Sequence, residues 1–155
     1  MSPPHPGELL PDVTVVTVTG QQVRISDYRG QRALVLFFLG EHHDAALIEL
    51  LRALADRYAE IRQEEAEVLV IAPNARTAME TIARAPRTLP LPFPILVDEG
   101  GRAHRAYGVA TSGALYIADR YGEIYFARVI TEVSELPTVE HILSWVRFTE
   151  AQCPE

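Results

Sequence analysis

The stretch that most constrains this chain is ALVLFFLGEHHDAALIEL, Ala33 to Leu50. Ala33–Leu39 is continuously apolar, too short for a typical helix, and suits a strand buried on both faces of a sheet. A short polar loop follows, Gly40 to Asp44. Apolar residues then recur at Leu47, Leu51, Leu54, Tyr58 and Ile61. Steps of four and three put them on one face of a helix ending near Gln63. A buried strand, a polar loop and an amphipathic helix form the first half of a strand–helix–strand crossover.

The remainder extends that pattern. Glu67–Ile71 (EVLVI) reads as a second buried strand, and Asn74 as the cap of a helix Ala75–Ala85 stopped at Pro86. A proline-rich connection, Leu89–Pro94, leads to a short strand Ile95–Val97. Gly100–Gly101 breaks the chain, and Arg102–Tyr107 reads as a short helix ended by Gly108. Ala114–Ala118 and Glu123–Val129 flank Asp119–Gly122, a hairpin by turn chemistry. The stripe Val139, Ile142, Leu143, Val146 marks a last helix, with residues 149–155 expected to fray. At the other end, residues 1–12 carry four prolines and should run extended. Val13–Val18 and Gln22–Ile25 pair as strands, with Ser26 capping one helical turn closed by Gly30. The pattern predicts an α/β fold in which a mixed central sheet carries helices on both faces, with an N-terminal β-hairpin extension. Both crossovers are expected to be right-handed.

Residues 1–155 read as a single domain, long enough to bury roughly 68–70% of the unfolded chain's surface. A formal charge of −7 argues against nucleic acid or an anionic membrane as partner. No apolar run approaches the ~20 residues of a membrane span. The opening MSPPHPGELLPD lacks a basic start and an apolar core, so a cytoplasmic location is expected. Every basic residue is arginine. The one cysteine, Cys153, can make neither an intrachain disulfide nor a cysteine-based zinc site.

Three segments carry a resemblance. They are LPDVTVVTVTGQQVRISDYRGQRALVLFF, LPFPILVDEGG and YGVATSGALYIADRYGEI, in that order and spacing. From Leu10 to Val146 the chain resembles the redoxin branch of the thioredoxin superfamily: peroxiredoxins of the alkyl hydroperoxide reductase / thiol-specific antioxidant type and thioredoxin-like thiol reductases. The resemblance implies a thioredoxin-like fold. It also implies a redox cysteine at the start of the helix after the strand ending FF. The C-x-x-C of the thiol reductases falls on His43-Asp44-Ala45-Ala46, and the peroxidatic cysteine falls on His43. The cis-proline of the fold falls on Gly113 or next to it. The arginine that assists peroxide cleavage has no counterpart nearby.

These losses bear on chemistry. A helix N-terminus stabilises a thiolate, which then attacks a disulfide or a peroxide oxygen. Imidazole at position 43 cannot do so, and Ala46 resolves nothing. The degenerate redox positions are therefore His43, Ala46 and Gly113, with no catalytic residue and no cofactor assigned. No cis bond is expected before Gly113, since a non-proline cis bond costs ~2.5–4 kcal/mol.

His42, His43 and Asp44 are the densest metal-capable set, though adjacent loop residues rarely turn to one ion and Asp44 suits a helix cap. His104 is expected on a surface helix, where Arg102 and Arg105 would repel a cation. Cys153 reads as an exposed thiol, or as a point of intermolecular disulfide formation. Two readings follow. In the first, the chain is a redox-inactive redoxin with a binding or regulatory role toward a protein or small molecule, a homodimer being one form it could take. In the second, it is an enzyme: a peroxiredoxin-like antioxidant, or a metal-dependent activity built on His42 and His43.

Overall fold

The structure is a computed structural model that describes residues 3–41, 45–109 and 113–152. Seven strands form one mixed sheet: β1 (Thr14–Val16), β2 (Gln22–Arg24), β3 (Ala33–Phe38), β4 (Ala66–Ala72), β5 (Ile95–Val97), β6 (Gly113–Ala118) and β7 (Ile124–Ile130). Their order is β2-β1-β5-β4-β3-β6-β7. β3, β4 and β5 are mutually parallel, with Val35 beside Val68 and Val70 beside Ile95. β6 and β7 continue the sheet antiparallel, as the Asp119–Gly122 turn implied. At the other edge, β1 and β2 form the antiparallel N-terminal hairpin.

The apolar run of β3 is buried throughout because alternate residues serve two separate cores. Val35, Phe37 and Leu39 face one side, where they meet α1 (Ala45–Asp56), α2 (Tyr58–Gln63), α3 (Ala75–Arg84) and α5 (Val139–Gln152) through residues such as Leu51, Ile61, Ala78 and Leu143. Leu34, Leu36 and Phe38 face the other side, covered by the short α4 (Arg102–Ala106), Tyr107, and the N-terminal residues Leu10, Val15 and Ile25. Helices thus lie on both faces, four against one.

Three local expectations give way. The helix to Gln63 is broken at Arg57, whose φ of −105° and ψ of 12° leave the helical region. α2 resumes the same apolar face, so the periodicity reads as continuous. The turn after β2 is a 3-10 turn, Ile25–Tyr28, preceded by Arg24, and Ser26 does not cap it. The Asp27 carboxylate instead accepts from the Arg24 amide, and the Ser26 amide donates to Asp12. Finally, residues 149–152 belong to α5 and do not fray. Thr149 is fully buried and its hydroxyl donates to the Val146 carbonyl. Arg120, in the β6–β7 turn, pairs with Glu150 and pins that last turn to the sheet.

Candidate functional site

Three strand–helix junctions open at one end of the sheet, because β3, β4 and β5 run parallel and each is followed by a helix. The β4–α3 junction is an ordinary cap: Asn74 Oδ1 accepts from the Thr77 amide at 2.8 Å, as its position before Ala75 predicted.

At the β3–α1 junction, Gly40 is half-buried, Glu41 is exposed, and α1 begins at Ala45. Ala46, half-buried, sits in the first helical turn and carries no reactive group. His42, His43 and Asp44 lie outside the described residues, as do Cys153 and Ser112, and with Ser112 the peptide bond before Gly113. Among the described residues no cluster of three or more metal-capable side chains occurs.

Gly113, the first residue of β6, faces this junction from the neighbouring strand. A Cβ built on it would lie 3.0 Å from the Phe38 carbonyl oxygen and 3.6 Å from the Gly40 amide nitrogen. The backbone of β3 occupies the space that a side chain at position 113 would take, so a proline ring there would require the strand end to move.

The β5–α4 junction holds what the sequence reading misplaced. His104 is not on the surface: it is 1% exposed, as is Asp98 at the end of β5. Gly100 and Gly101, with φ of 72° and 71°, turn the chain back through backbone that favours glycine. That turn brings the Asp98 carboxylate over the start of α4. It accepts from the Ala103 amide at 2.9 Å and the His104 amide at 2.8 Å, and its Oδ2 lies 2.7 Å from His104 Nδ1. Burial alone would raise the Asp98 pKa, but the bonds from His104 and Ala103 outweigh it and hold the carboxyl below its usual range. The other ring nitrogen, Nε2, lies 2.8 Å from the Leu39 carbonyl oxygen, at the base of the β3–α1 loop. Arg102 and Arg105, which flank His104 in sequence, point outward and are exposed.

The ring is walled by aromatics. Phe38 packs edge-on to it at 5.0 Å and tilts against Tyr107 at 4.6 Å. Tyr107 donates its hydroxyl to the Pro11 carbonyl at 2.6 Å, and burial, then Tyr116 and Asp12, push its pKa strongly up. Tyr116 is buried with no hydrogen-bond partner for its hydroxyl among the described residues. Burial pushes its pKa up to about 12. The signal that could have found this pair is the D-x5-H spacing across Gly100–Gly101, which puts the carboxylate and the imidazole on the same side of α4.

A parallel β3–β4–β5 core, an antiparallel β6–β7 hairpin and a helix running back from the β3 loop define a thioredoxin-like redoxin. The AhpC/TSA family model matches residues 6–127, and the chain belongs to that family. It is 26% identical over 127 residues to the chloroplastic peroxiredoxin Q of Triticum aestivum, covering 77% of this chain and 57% of that protein. It is 23% identical over 141 residues to the thiol-disulfide oxidoreductase ResA of Geobacillus kaustophilus, covering 91% of this chain and 78% of that one. The reduced 2-Cys peroxiredoxin of Plasmodium vivax superposes with a TM-score of 0.77 at 16% identity, over 98% of this chain and 88% of that one. The chain thus spans little more than half the length of the wheat relative.

Proposed function

We propose that this is a redoxin that no longer performs thiol chemistry and uses the β3–α1 end of the sheet, with Gly113 beside it, for binding or regulation. The observation that carries this reading is the cysteine inventory. Peroxide reduction and disulfide exchange by this family's route begin with a thiolate at the helix start. The chain's single cysteine is Cys153, and the second position of the redox pair is Ala46. The tight approach at Gly113 supports the same reading, because a proline there, against which a thiol substrate would be held, would press on the Phe38 carbonyl. Open ends of parallel strands remain natural places for a ligand once catalysis is gone.

The names of the relatives favour a second reading, a peroxiredoxin-like antioxidant, for which Cys153 is the one thiol in the sequence. A peroxide-consumption assay separates the two, run with and without dithiothreitol or a thioredoxin system, on the native chain and on Cys153→Ser. The first reading expects no more consumption than the added reductant gives alone, and the same for both proteins. Catalytic turnover lost in Cys153→Ser would replace it with the second.

A further inference from the structure

We propose that His104 is a buried imidazolium that clamps the Leu39 carbonyl to Asp98, so that the chain leaving β3, Leu39 to Glu41, is coupled to a single proton on Nε2. The geometry is the ground. Both ring nitrogens face oxygen acceptors at hydrogen-bonding distance, Asp98 Oδ2 at 2.7 Å and the Leu39 carbonyl at 2.8 Å. A neutral imidazole has one N–H to give. With Nδ1–H committed to the carboxylate, a bare Nε2 would set its lone pair against the lone pairs of Leu39. Only the doubly protonated ring satisfies both, and its charge is balanced by the ionised Asp98, which two backbone amides also hold. A buried charge paired in this way is a stable arrangement, whereas a half-satisfied one is not.

Among the described residues no other charged group bonds to the pair. Phe38 at the end of β3 and Leu39 after it are uncharged, and the Tyr107 phenol is kept neutral by burial. Glu99, Arg102 and Arg105 are exposed, and Arg105 is turned to the Gly100 carbonyl. The carboxylate is the stronger acceptor, so the proton that leaves on raising the pH is the one on Nε2. Its loss removes the bond to Leu39 and replaces it with repulsion. The Leu39 amide stays fixed to the Ile71 carbonyl, so the adjustment falls on the Leu39 carbonyl, Gly40 and Glu41. This coupling stands on Asp98, His104 and Leu39 alone and does not depend on the site binding anything.

The test is an NMR titration of the full chain, with ring nitrogens labelled in histidine and amides labelled throughout. His104 is identified by the resonances missing in His104→Phe. At neutral pH both His104 ring nitrogens are expected to carry protons. As pH rises, Nε2 should lose its proton in a transition that shifts the Leu39, Gly40 and Glu41 amides with the same midpoint. Those shifts should vanish in His104→Phe, and shifts of the same size and midpoint in that variant overturn the proposal. In Asp98→Asn the His104 ring should be neutral already at neutral pH. A bare His104 ring nitrogen at neutral pH in the native chain overturns the proposal. So does a deprotonation that leaves the three amides still, or one that occurs only with global unfolding.

Discussion

β3 and β5 leave the sheet at the same end, on either side of β4, and their junctions differ in kind. After β3, where the family places its reactive thiol, the described residues are a buried leucine, a glycine, an exposed glutamate and two alanines. After β5, at a junction the family resemblance does not make catalytic, a carboxylate and an imidazole are buried together and fully bonded. The His104–Leu39 bond joins the two. Chemistry can be lost from one junction while the neighbouring one keeps, or gains, a polar network, because a strand-end loop tolerates change and a buried pair does not.

The largest expected effect falls on the buried pair. Asp98→Ala strands the His104 ring and two backbone amides without their acceptor and should cost about 3–5 kcal/mol in urea unfolding. A loss under ~1 kcal/mol, the range of an exposed pair, would remove the contrast between the junctions. The pH dependence sharpens the same point. Asp98 is depressed in the folded state, so its contribution is present above the ~3.9 of an unfolded aspartate and is lost as pH falls through the lower folded value. Native protein should therefore lose stability on acidification through that window more steeply than Asp98→Asn, as followed by circular dichroism.

Next comes the closed side of the β3 junction. Gly113→Ala must displace the Phe38 carbonyl and should cost about 1–3 kcal/mol, read as a lower urea midpoint with an unchanged slope. A neutral substitution would mean that the groove is open to a side chain after all. The smallest effect belongs to β4–α3, the reference junction: Asn74→Ala removes one cap bond and should cost about 1 kcal/mol.

Much of this was legible from residue patterns. The run Ala33–Leu39 was read as a doubly buried strand because only two-sided burial explains apolar residues at both parities. The Asn74 cap and the Asp119–Gly122 turn declared themselves through local chemistry: Asp119 does accept from the Tyr121 and Glu123 amides. The burial of His104 does not show in the sequence because α4 is too short for its periodicity to speak, and because Arg102 and Arg105 dominate the local charge. Its partner lies six residues back across two glycines with positive φ, a reversal that no helical or strand period encodes. The tail was misread for a similar reason: polar residues after Phe148 look like fraying until Arg120, thirty residues earlier, supplies a partner. At the β3 junction the sequence speaks chiefly through what it omits, the thiols at His43 and Ala46.

The central claim is that the redoxin scaffold persists while its thiols are gone, and one measurement bears on it most directly. In His43→Cys plus Ala46→Cys, with Cys153→Ser to exclude dimer disulfides, the two new thiols are three apart in sequence, the second in the first turn of α1. The helix terminus should lower the first thiol's pKa below the ~8.5 of free cysteine. A reversible intrachain disulfide should form in a glutathione titration, with a definable reduction potential. Turnover of extended disulfide substrates should stay poor, since Gly113 provides no wall beside the sulfurs. If both thiols remain reduced under strong oxidant in folded protein, the scaffold is not what the family resemblance and the fold imply, and the account is wrong at its base.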